Sequence, residues 1–202
     1  MAAIKSQLRL PVWVIAFALA PSVALAHPGH LTAGGWANGF AHPFTGLDHI
    51  LAMMSVGLLA FRLGGRSLWL VPLCFISVMV VGGALGMAHA PLPAVETGIA
   101  LSVIVLGAAV ASRWRPAPGV ATMLVGLFAI FHGYAHGAEM QAGNSGYLFG
   151  AGFVAATALL HGLGITTAWT LSRIDARPNR PLLRWAGAGV SLCGVALLAG
   201  VI

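Results

Sequence analysis

Apolar positions run together in six long stretches, at residues 36–61, 67–88, 93–112, 119–140, 146–172 and 182–202. Each is close to or above the ~20 residues a helix needs to cross ~30 Å of hydrocarbon. The connections between them are short and rich in Gly and Pro, and no soluble domain fits there. The pattern predicts an all-α, polytopic membrane protein with six transmembrane helices. Ahead of them lies a shorter apolar run, residues 11–20, preceded by Lys5 and Arg9 and followed by Ala24-Leu25-Ala26. A basic start, a short apolar run and an A-x-A site together read as a secretory signal peptide, residues 1–26, cleaved after Ala26. An uncleaved first membrane helix is the alternative. Residues 27–202 then form the membrane domain.

Composition strengthens this reading. The chain is 59% hydrophobic and only 7% charged, with a mean hydropathy of +0.93, whereas a soluble domain carries roughly 25% charged residues. The pI near 10.8 invites a nucleic-acid reading. The placement of the charges removes it, because no basic cluster alternates with stacking aromatics. Instead, Arg62 and Arg66 follow the first span, Arg113 and Arg115 the third, and Arg173, Arg177, Arg180 and Arg184 the fifth. Connections after the second and fourth spans have no Lys or Arg. The positive-inside rule makes the arginine side cytoplasmic, so both mature termini are expected to be extracytoplasmic. Cys74 and Cys193 lie in apolar runs and read as small hydrophobes rather than a disulfide or metal pair. Gly82, Gly83, Gly86, Gly150, Gly152, Gly187 and Gly189 permit close helix approach. A homo-oligomer is compatible with the sequence.

Candidate chemistry concentrates where ionisable groups enter apolar runs, since such groups usually face a cavity or pathway. His132, His136 and Glu139 are spaced i, i+4, i+7 and form one stripe on a helix. Gly133 and Gly137 flank them and leave room for a helix or an ion. In the first span, His42, His49 and Met53 share a face of an ideal helix, while Asp48 points elsewhere and is either a ligand or the group that orients His49. Pro43 and Gly46 predict a kinked or partly unwound start whose freed carbonyls face a cavity. At 1.5 Å per residue, Asp48 and His49 come roughly level with His132, and His161 falls near the midplane too. His89 and Glu96 flank an outer connection, where Glu96 could equally cap a helix. His27 and His30 would lie at the new N-terminus, as a metal capture group or a plain leader. Asp175, among arginines in a loop, reads as a solvated charge. A His-rich mixture with some carboxylate and Met suits a borderline divalent ion such as Ni²⁺ or Co²⁺.

His42-Pro43-x-x-Gly46-x-Asp48-His49-x-x-x-Met53 and His132-Gly133-x-Ala135-His136-Gly137-x-Glu139 together resemble the paired motifs of the HupE/UreJ family. That resemblance covers essentially the whole chain. It implies a permease for nickel or cobalt linked to hydrogenase or urease maturation, with the metal as substrate and no prosthetic group. It also implies that His42, Asp48, His49, His132, His136 and Glu139 handle the metal. Similarity to the larger nickel/cobalt transporter class, with its His-x4-Asp-His helix, is looser, since five residues separate His42 from Asp48. Two other readings stay in view. One is an intramembrane zinc hydrolase, although Gly133 after His132 departs from H-E-x-x-H. The other is bis-His haem ligation.

Overall fold

A computed structural model describes residues 35–140, 143–175, 177 and 180–202. The proposed signal peptide, with His27 and His30, lies outside the described residues. Regular structure among the described residues is entirely helical. The helices are α1 (Trp36–Ala41), α2 (Leu47–Leu63), α3 (Ser67–Met87), α4 (Val95–Ala111), α5 (Pro118–Glu139), α6 (Asn144–Ile174) and α7 (Pro181–Leu198), with a 3₁₀ turn, His42–Phe44, between α1 and α2.

Four of the expected spans differ in extent, the sixth by ending at Leu198 after 18 residues. The first is broken: α1 with its 3₁₀ turn meets α2 at 85°. Pro43 cannot donate to a helical ladder, and Gly46 adopts extended backbone as it caps α2. The expected free carbonyl is absent at His42, whose oxygen accepts from both the amide (3.0 Å) and the hydroxyl (2.7 Å) of Thr45. The third span is shorter than expected. Pro91 and Pro93 hold the preceding chain out of helix and Ala94 is left-handed (φ 56°), so α4 has 17 residues, about 26 Å. The fifth is longer, 31 residues, because no proline or other break interrupts it. A helix of that length tilts within, or projects beyond, the hydrocarbon. By length and hydropathy, α3, α5, α6 and α7 can each cross a membrane alone, and α1 with α2 can do so as a bent pair.

The outside of the bundle is apolar: Met123 is 77% and Leu192 71% exposed, as lipid-facing side chains would be. Inside, α2 is the central helix and packs against α3, α4 and α6. Ala52, Met53 and the run from Ser55 to Ala60 are buried on it. α3 lies along α5, and α4 along α7. The α3–α5 seam depends on glycine. A Cβ on Gly133 would collide with the Met79 carbonyl, and one on Gly137 with the Gly83 carbonyl. The space beside the two α5 histidines is therefore taken by the α3 backbone, not kept for an ion. That contact fixes the rotation of α5 and with it the direction of the histidine stripe.

Candidate metal centre

The α5 stripe forms as its spacing predicts. His132 is fully buried, His136 is 8% exposed, and Glu139 is exposed at the end of the helix. Opposite them stands His49, in the first turn of α2. Its ring centroid is 4.8 Å from that of His132 and 4.5 Å from that of His136. The Nε2 atoms of His49 and His136 approach to 2.5 Å, shorter than the usual 2.7–3.2 Å of a hydrogen bond. One ion bound at about 2.0–2.1 Å by both nitrogens would hold them about 2.9–3.4 Å apart, from a right angle to a tetrahedral one at the ion.

Asp48 explains which nitrogen points inward. Its Oδ1 accepts from the His49 amide (2.8 Å) and lies 2.9 Å from His49 Nδ1. A carboxylate can only accept, so Nδ1 carries the proton and Nε2 presents a lone pair toward α5. This is the arrangement by which a carboxylate behind an imidazole fixes its tautomer and raises its basicity as a ligand.

His132 has a comparable support that no sequence motif marks. Ser102 Oγ on α4 donates to the Ile99 carbonyl (2.6 Å) and lies 2.8 Å from His132 Nε2. With its one proton spent, the hydroxyl accepts from Nε2–H. Nδ1 of His132 is then a buried lone pair without a protein partner, and Nδ1 of His136 is also buried and unpartnered. A serine inside an apolar run carries no mark that separates Ser102 from Ser191, which merely bonds the Ile104 carbonyl.

The 85° bend changes how His42 reaches the site. His42 and His49 no longer share a face, yet both reach His136, the His42 ring at 4.7 Å centroid to centroid. One ligand atom each from His42, His136 and Glu139 lie within 4.8 Å of one another. His136 is thus common to an outer group with His42 and Glu139 and an inner pair with His49, next to His132. Phe153 of α6 packs against His42, His49 and His136, with the closest ring at 4.5 Å, and walls the cluster on that side.

Other candidates stand apart. His161 does not join the cluster: its ring meets Phe75 edge-on at 5.2 Å, and Phe75 in turn packs on His132 at 5.8 Å. Both ring nitrogens of His161 are buried without a partner. Met53 is fully buried in the apolar core. Met79, Met87 and Met140 instead line a cavity of about 400 Å³ that reaches His136. Glu96 sits in the first turn of α4 without a side-chain capping bond, and shares a cavity of about 210 Å³ with Asp48. His89 is exposed in the connection after α3, with a positive φ of 51°.

Asp175 corrects the expectation of a solvated charge. Only 5% exposed, it accepts from Arg177 Nε (2.6 Å) and from the Leu182 amide (3.0 Å). It ties the end of α6 to the first turn of α7, and the Arg177 guanidinium beside it holds its carboxyl below the usual range. Cys74 and Cys193 are free thiols, both partly buried.

Chemically, the cluster offers imidazole lone pairs, one exposed carboxylate and a carboxylate-backed histidine, a donor set suited to borderline divalent transition ions. Residues 15–197 match the family described as HupE / UreJ protein. The chain is 45% identical over 180 residues to Protein HupE of Rhizobium leguminosarum bv. viciae, an alignment covering 89% of this chain and 92% of that protein. No solved structure matches it. The chain therefore belongs to the HupE/UreJ family, a family of metal transporters and not of enzymes.

Proposed function

We propose that this protein imports Ni²⁺, or Co²⁺, across the bacterial inner membrane through six spans, with both mature termini outside after cleavage of residues 1–26. The metal is captured by His42, His136 and Glu139. It passes to His49 and His132, with Asp48 orienting His49 as a positioning residue, and leaves toward the arginine-bearing side. Glu96 and Asp48 add negative potential at the mouth. The imported ion supplies hydrogenase, urease or cobalamin assembly. The observation that carries this is the approach of His49 Nε2 to His136 Nε2 across two helices, with Asp48 on the far nitrogen of His49. Ligands shared between successive groups let an ion move without being held too tightly, as conduction requires. Family membership leaves the hydrolase reading without support.

Whole-cell accumulation of several divalent metals, wild type against His49→Ala and His132→Ala, tests it. Both variants are expected to lose metal-limited uptake while remaining folded in the membrane. Uptake at the wild-type rate by both, at equal membrane abundance, would overturn it.

A further inference from the structure

At the end of the bundle away from the histidines, Arg62, Arg113, Arg115, Arg180 and Arg184 converge with Ser112 on one cavity of about 210 Å³. Two of them have a structural task. Arg62 donates through both Nη atoms to the Ala109 and Ser112 carbonyls, and Arg184 donates through Nε to the Ala111 carbonyl (2.7 Å). Together they close the C-terminal end of α4 from α2 and from α7, where positive charge is favoured.

Of the other three, Arg180 lays its guanidinium over the Phe61 ring, 5.5 Å from the centroid, while Arg113 and Arg115 have no such task. Arg113 and Arg115 are exposed, and among the described residues no acid pairs with any of the five. The chain's four acids are Asp48, Glu96, Glu139 and Asp175, and the one at this end, Asp175, is spent on Arg177 and Leu182. Five guanidiniums around one cavity repel each other unless an anion joins them, and their planar forks match phosphate oxygens.

The depth of the cavity is marked by tryptophan. Trp69, Trp114, Trp169 and Trp185, each 47–74% exposed, lie at the arginine-bearing ends of α3, α4, α6 and α7. Exposed indoles at helix ends sit at the headgroup level of a bilayer. Basic pockets between membrane helices at that level bind anionic headgroups.

We propose that the arginine-lined cavity binds the phosphate of an anionic phospholipid headgroup. Binding bridges α2, α4 and α7 and stabilises the folded bundle by an amount that grows with the logarithm of lipid concentration above the dissociation constant.

The test uses the purified full chain in detergent, with Tm followed against added phosphatidylglycerol, phosphatidylcholine or inorganic phosphate. Phosphatidylglycerol is expected to raise Tm progressively, roughly with the logarithm of its concentration, and the other two to leave it unchanged at equal concentration. Arg113→Gln with Arg115→Gln should weaken the apparent affinity roughly twenty-five-fold, about fivefold for each charge removed at a headgroup surface. Arg66→Gln with Arg173→Gln, the same charge loss outside the cavity, should change it less than about twofold. Equal weakening in the two double variants would overturn a localised site, and an equal shift by inorganic phosphate would overturn the lipid as its source. Native mass spectrometry of the wild type gives a check that needs no variant: one retained phosphatidylglycerol per chain supports the site, and a broad, unsaturated ladder of adducts refutes it.

Discussion

At one end of this bundle Asp48, Glu96 and Glu139, three of the chain's four acids, stand with His42, His49 and His136; at the other, five arginines line one cavity. Both ends hold polar groups between apolar helices, yet they can do opposite things. Imidazole keeps a lone pair when neutral and can ligate a cation. Guanidinium has five donors, no acceptor and no accessible deprotonated form. The histidine end can therefore hold metal, and the arginine end can hold only anions. What separates the ends further is support: His49 and His132 each have a partner on the nitrogen that does not face the cluster, whereas Arg113 and Arg115 have none among the described residues.

The sharpest way to break this contrast is at His136, the ring shared by the outer and inner groups. His136→Ala is expected to reduce uptake to background, because it removes a ligand from both. Uptake above about a tenth of wild type, at matched membrane abundance, would mean that the two groups do not act in series. Asp48→Asn should come next. Asn can accept from His49 Nδ1–H but carries no charge, and losing a carboxylate behind a ligating imidazole typically costs 10–100-fold in metal affinity. The expected signature is a raised half-saturating metal concentration with a largely preserved maximal rate. A collapse of the maximal rate alone would instead make Asp48 part of the path.

These groups were unequally legible. His132, His136 and Glu139 follow from helical period alone, and the break ahead of Asp48 follows from Pro43 and Gly46. His161 is different. Residue count and rise give height in the membrane, and at that level His161 matched His132. They do not give rotation about the bundle axis, which placed Phe75 against both rings. Rotation is set by contacts such as Gly133 on the Met79 carbonyl, and these depend on two helices at once. Likewise the Ser102 bond to His132 is a property of a helix pair, invisible in either segment. Asp175 reads as solvated because loop charges usually are, and nothing in the sequence announces that Leu182 turns its amide onto the carboxylate.

His161→Leu sharpens the comparison from within the core. The imidazole is buried with both nitrogens unpartnered, so an apolar side chain removes a desolvation cost instead of a bond. The expected result is uptake within about twofold of wild type and a Tm at or above it. A loss of uptake comparable to His136→Ala would make His161 a step on the metal path after all.

The smallest expected effect lies at the arginine end. Asp175→Asn keeps an acceptor for the Leu182 amide but loses the charge that Arg177 stabilises, so uptake should be unchanged while Tm falls by a few degrees. Its pH dependence has a definite sign. The folded carboxyl titrates below its usual range because Arg177 donates to it, so the stabilisation is present above the unfolded value of about 3.9 and is lost as pH falls through the lower, folded value. Wild type and Asp175→Asn should therefore differ in Tm at pH 7 and converge as the carboxyl protonates. Taking the difference between the two proteins cancels every other group that titrates over the same range. A constant gap down to low pH would assign the effect to packing of the carboxyl group, and no gap at pH 7 would show that the bond between the end of α6 and the start of α7 adds nothing to the stability of the bundle.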